Sequence, residues 1–218
     1  MCSSDLLRLE RLLAQRQPDI DVVLTRRNDA FVPLERRTAL AVRENADLFL
    51  SIHVNASEDT RARGIETYYL NFAPNPAAEA IAARENAASE RTMGQLGDII
   101  KAIALTNKVD ESRDFAAFIQ SALVDRLAKS RAVKNLGVKQ APFMVLVGAT
   151  MPSALAEISF LTNDDDAAAL TGAVYRQQVA EALYAGIVRY QKSLKSAPRP
   201  AAARPVASAA PPASPVHD

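Results

Sequence analysis

Soft metal ligands are scarce in this sequence, and the scarcity limits its chemistry. There is one cysteine, Cys2, and there are two histidines, His53 and His217. A single cysteine excludes an intrachain disulfide and any cysteine-rich zinc site. Glycine is sparse as well. The seven glycines form no phosphate-cradling loop, and no Gly-x-Ser-x-Gly turn marks a serine nucleophile. Charge of one sign is not in excess: 26 basic and 25 acidic residues leave +1, without the basic surplus of nucleic-acid-binding proteins. No stretch approaches the roughly 20 apolar residues of a membrane span. No basic segment followed by an apolar run opens the chain as a signal peptide would.

What is present suits one domain and a tail. A chain of 218 residues with 49% apolar content can bury a sizeable core. From about Ser196 to Asp218 the composition turns to alanine and proline, with Pro198, Pro200, Pro205, Pro211, Pro212 and Pro215. Such a segment buries too little apolar surface to offset its ordering entropy, so disorder is expected over 196–218 and His217 is a poor ligand candidate. Upstream, helix and strand patterns alternate. Leu6, Leu9, Leu12 and Leu13 predict a helix over Leu6–Arg16, which Pro18 ends. A short strand is expected at Val22–Leu24 and a helix over Leu34–Asn45. Leu48 to Asn55 alternates cleanly: Leu48, Leu50, Ile52 and Val54 face one way, and Phe49, Ser51, His53 and Asn55 the other. Further strands are expected at Ile65–Leu70, Phe143–Val147 and Ala154–Phe160. Helices are expected over Pro76–Ala104, over Arg113–Ala128 and around Tyr175–Tyr190. The order implies an α/β domain over 6–192, with a sheet that is not necessarily all parallel.

Three kinds of residue in this pattern could carry chemistry. His53 projects with Ser51 and Asn55 from a strand whose other face is apolar; a hydrogen-bonded structural histidine and a metal or catalytic one both fit. Glu157 lies in the apolar run Leu155-Ala156-Glu157-Ile158-Ser159-Phe160-Leu161. A carboxylate there must be paired, protonated or metal-bound. A salt bridge to Arg26 or Arg37 and a general base with a raised pKa are the two readings. Glu66 reads as a polar strand residue. Asp164, Asp165 and Asp166, after Asn163, read as a helix cap rather than a calcium loop.

Taken in order, the motifs resemble one family. They are Thr25-Arg26-x-x-Asp29, Leu34-x-x-Arg37, Asn45-Ala46-Asp47-Leu48-Phe49-Leu50-Ser51-Ile52-His53-Val54-Asn55-Ala56 and Gly64-Ile65-Glu66-Thr67-Tyr68-Tyr69-Leu70. Glu111-Ser112, Phe143-x-Val145-Leu146 and Pro152-Ser153-x-Leu155-x-Glu157-x-x-Phe160-Leu161-x-Asn163 follow. Over about residues 6 to 190 the chain resembles the zinc-dependent N-acetylmuramoyl-L-alanine amidases of bacterial cell walls. The resemblance implies a phosphorylase/hydrolase-like mixed α/β fold and one zinc ion. It also implies hydrolysis of the peptidoglycan amide between N-acetylmuramic acid and L-alanine, in the periplasm or cell envelope. It makes His53 a zinc ligand and Glu157 the catalytic glutamate. The segment 76–106 resembles the inserted helical segment of envelope amidases, where a helix blocks the zinc site until an activator protein displaces it; Glu85 is the carboxylate expected to reach the metal. Family members open with a strand bearing Gly-His-Gly and a following glutamate, which this chain lacks. Residues 1–5 accordingly read as a non-native leader on a chain whose first strand is missing, and little activity is expected of the 218 residues alone. The alternative is a non-catalytic peptidoglycan-binding or regulatory relative with the same fold.

Overall fold

The computed structural model describes residues 2–72, 75–89 and 108–196. The expected tail with His217, and the second half of the expected 76–104 helix, lie outside the described residues. Strand β4 (Ser153–Phe160) organises the rest, because all eight of its residues are buried. A strand covered on both faces reads as a nearly unbroken apolar run, and this one does. It lies between β1 (Phe49–Asn55), parallel to it, and β2 (Ile65–Leu70), antiparallel to it. Strand β3 (Asn135–Ala141) adds to β2 in parallel, so the sheet order is β1-β4-β2-β3. The sheet is mixed, within the α/β class expected.

Helices cover both faces. On one face lie α1 (Cys2–Arg16), α4 (Val109–Leu127) and α6 (Ala173–Ser196), whose buried leucines, Phe115 and Ile119 meet Ile52, Ala154, Ala156 and Ile158. On the other lie α2 (Leu34–Arg43), α3 (Pro76–Asn86) and a 3-10 turn at Met144–Leu146, around Phe49, Tyr68, Leu70 and Leu155. The alternation of β1 holds: Leu48, Leu50, Ile52 and Val54 pack into the first core and Phe49 into the second. A short helix, α5 (Asp164–Thr171), links β4 to α6. Its cap is the expected one, with Asn163 Oδ1 accepting from the Asp166 amide at 3.2 Å. Asp166 does more than cap. Its Oδ2 accepts from the amides of Gly64 (3.1 Å) and Phe160 (3.0 Å), tying the start of β2 to the end of β4.

Four local expectations are corrected. Helix α1 begins at Cys2, four residues before the expected start at Leu6. Val22–Leu24 forms no strand. It has no ladder partner among the described residues, and Val23 is 55% exposed. Phe143–Val147 closes into the 3-10 turn, with the Leu146 amide bonded to Phe143 O and the Val147 amide to Met144 O. Short buried apolar runs look alike to periodicity whatever their backbone. Strand β3 escaped notice because, as an edge strand carrying Gly137, Lys139 and Gln140, it has no apolar run to signal it.

The most extensive helix contact is α4 against α6. Phe115 and Phe118 place their rings 5.1 Å and 5.9 Å from Tyr190, and Gly186 brings the backbones together. A Cβ on Gly186 would stand 2.9 Å from Ile119 Cδ1, 3.0 Å from Ile119 Cα and 3.1 Å from Phe118 O. Two of these three atoms are backbone and give way poorly. Overpacking costs about 1–3 kcal/mol, while replacing a helical glycine by alanine gains about 1 kcal/mol. We expect Gly186→Ala to lower the urea midpoint, by a net loss of about 1 kcal/mol. A raised midpoint would show that the helices can separate at no cost.

Candidate metal centre

The register of the three central strands aligns three polar residues. Cα partners His53 on β1, Glu157 on β4 and Glu66 on β2 form one row across the sheet. Paired neighbours in adjacent strands share a face, so all three point away from the first core. A register shift between His53 and Asn55 marks a bulge at the end of β1. Just beyond it, Asn55 donates from Nδ2 to Glu66 Oε1 at 2.7 Å. Lys139 Nζ donates to the other oxygen of Glu66 at 2.5 Å, so this carboxylate, only 1% exposed, is fully engaged.

Helix α3 crosses above the row. Asn75 caps it, accepting from the Ala78 amide at 3.2 Å, and Pro76 occupies its first turn, where a missing N–H costs nothing. Its last turn carries Glu85 to His53, with Oε2 2.6 Å from Nδ1. His53, Glu85 and Glu157 each offer one ligand atom, and these atoms lie within 4.8 Å of one another. Sequence reasoning named these three residues, and the fold brings them together. It missed Glu66, Lys139 and Arg84. Their importance depends on strand pairing and helix docking, and no local pattern records either.

Glu157 is the anomaly of the group. It is fully buried, and neither side-chain oxygen has a hydrogen-bond partner. Neither arginine considered for a salt bridge is bonded to it: Arg26 donates to Ala30 O, and Arg37 to Val32 O at 2.9 Å. Burial pushes the Glu157 carboxyl well above the ordinary glutamate value. The charges of Glu85 and Glu66 push the same way, and Arg84 opposes them. Burial alone would raise Glu85 too, but there the hydrogen bond and charge of His53, with Arg84 and Arg37, prevail and hold it below its usual value. An orphaned buried carboxyl beside an imidazole and a second carboxylate fits a divalent cation, which would satisfy all three.

The comparisons with known proteins give the family. A family match to N-acetylmuramoyl-L-alanine amidase covers residues 5–189. The chain belongs to that family. It is 33% identical over 170 residues to the N-acetylmuramoyl-L-alanine amidase LytC of Bacillus subtilis, covering 78% of this chain and 27% of LytC. It is 29% identical over 180 residues to the amidase AmiA of Escherichia coli, covering 80% of this chain and 62% of AmiA. The chain thus spans less than two thirds of the length of these curated relatives. An N-acetylmuramoyl-L-alanine amidase from Clostridium difficile 630 superposes with a TM-score of 0.64 at 28% identity, covering 87% of this chain and 81% of that one. The catalytic domain of CwlV from Bacillus (Paenibacillus) polymyxa gives 0.61 at 26% identity, covering 87% and 82%.

The isolation of Glu157 has a pH signature. In the unfolded chain it ionises near 4.5; in the fold it resists ionisation. Below the unfolded value both states hold the proton and Glu157 costs nothing on this account. As pH rises above it, the unfolded chain ionises first and folding loses stability. In metal-free protein, Glu157→Gln is therefore expected to raise the melting temperature relative to the parent, by a margin near zero in mild acid and growing toward neutral pH. A margin constant with pH would contradict this origin.

Proposed function

We propose that the chain is the catalytic domain of a zinc-dependent amidase that hydrolyses the bond between N-acetylmuramic acid and L-alanine in peptidoglycan, in the cell envelope. The observation carrying this reading is the alignment of a partnerless Glu157 with His53 in one row of the sheet of an amidase-family chain. His53 serves as a zinc ligand. A zinc ion held there would supply polarisation of the scissile carbonyl and acidify a water. Glu157 in its ionised form, which the charge of a bound cation would favour, is the proton acceptor for that water and returns the proton to the leaving L-alanine amine. Glu66, neutralised by Lys139, fixes Asn55 beside His53 and keeps the row rigid.

Glu85 plays the opposite part. It takes up the imidazole that the metal needs, from a helix laid over the site. We read segment 76–106 as a cover that an activator protein displaces. Catalytic zinc usually takes three protein ligands and leaves one position open. With Glu157 kept for proton transfer and Glu85 read as the cover, His53 is the zinc ligand that remains in this group of described donors. This favours weak zinc binding and little turnover by the 218 residues alone. It is also the one observation on the side of a non-catalytic peptidoglycan-binding relative.

An assay on purified sacculi, reading newly exposed L-alanine amino groups, separates these readings. Low turnover that a chelator abolishes is expected, with Glu157→Gln losing about 10²- to 10⁴-fold. Deletion of residues 78–104, in a chain with the full metal site present, is expected to raise activity over its parent. Turnover surviving both chelation and Glu157→Gln would overturn the amidase centre. Robust turnover by the parent with stoichiometric zinc would overturn the weak-binding claim, and an unchanged rate on deletion would overturn the cover.

A further inference from the structure

Helix α3 rests on little apolar surface. The side chains it buries fully are those of Ala78 and Ala82, with Ile81 half-buried against the same core. Alanines contribute little on burial, so polar contacts at its C-terminal end must hold it. Arg84 donates to Ala56 O from an exposed position, where water competes for the same groups. Asn86 is different. Its Nδ2 donates to Pro142 O at 2.8 Å and its Oδ1 accepts from the Met144 amide, also at 2.8 Å. These two backbone groups flank Phe143, whose backbone is extended (φ −73°, ψ 118°). They point to the same side, as they would toward a neighbouring strand. The side-chain amide of Asn86 thus stands in for a strand partner. The anchor is firm: Phe143 is fully buried, its ring 4.8 Å from that of Tyr68.

We propose that Asn86 is the positioning residue that keeps α3, and with it Glu85, over the metal group, so that an activator must break this clamp before the site opens. The proposal rests on the reading of α3 as a cover. Glu85 makes the contact with His53, and Asn86 sets how often that contact is open. Removing the amide leaves both backbone groups unpaired and frees the end of the helix while the sheet and the α1, α4 and α6 layer stay intact.

The test is the rate at which diethyl pyrocarbonate modifies His53 in the full 218-residue chain, read by mass spectrometry, with His217 as internal reference. Asn86→Ala is expected to raise the His53 rate about tenfold, the scale of two partly buried hydrogen bonds. Hydrogen exchange should show lost protection in α3 with α4 and α6 unchanged. A His53 rate equal to the parent's, in a folded variant, overturns the clamp, and so does loss of protection spread evenly over all helices. Should Asn86→Ala not fold, Asn86→Asp, which keeps the acceptor for Met144 and loses the donor to Pro142, is read by the same two measurements; a partial rise supports the clamp and no rise overturns it. Glu85→Ala separates the two ideas. If it leaves His53 unchanged while Asn86→Ala raises the rate, the clamp stands and Glu85 is not the covering group. If it raises the rate while Asn86→Ala does not, the cover stands and the clamp falls.

Discussion

A carboxyl group without a partner in the middle of a buried strand is the constraint around which this domain is arranged. Nothing in the packing of β4 asks for Glu157; an apolar residue would suit its neighbours better. The elements that bear on the site are arranged around this group. Strand β1 is parallel to β4 and in register, which sets His53 beside it. Strand β2 pairs from the other side and sets Glu66 there, with Lys139 of β3 absorbing the second charge. Helix α3 closes the row from above. Two cores, one on each face, make the sheet rigid enough to hold a costly group in place.

The two acids nearest His53 are treated differently, and the difference follows from their surroundings. Glu85 is 30% exposed and bonded to the imidazole, which favours its ionised form. Glu157 has burial and two acidic neighbours against it, which favours the protonated one. Environments that push two carboxyl groups apart are how one site comes to hold an acid and a base. In the proposed reading, Glu85 is engaged in covering and Glu157 is held for proton transfer.

Much of the fold was legible in local pattern. The alternation from Leu48 to Asn55 gave the faces of β1 correctly, and Asn163 with the following aspartates marked the cap of α5. His53, Glu85 and Glu157 were legible through motifs in order. The failures share a cause. Strand β3 is recognisable only by its pairing with β2. The 3-10 turn at Met144–Leu146 presents the same apolar run a strand would. Glu66 reads as an ordinary strand residue until Asn55 and Lys139 are seen to converge on it. Asn86 reads as a helix end until Pro142 and Met144 are found against it. Contacts between residues distant in the chain leave no mark on the periodicity of either partner.

The central claim is that His53 and Glu157 belong to one metal centre. It is tested most directly by the anomalous scattering of zinc in crystals of this chain grown or soaked with the ion. The account predicts a peak at the His53–Glu85–Glu157 group, about 2.0–2.2 Å from a His53 ring nitrogen and a carboxylate oxygen. Zinc bound only elsewhere, with Glu157 still unpartnered beside a vacant His53, would contradict it.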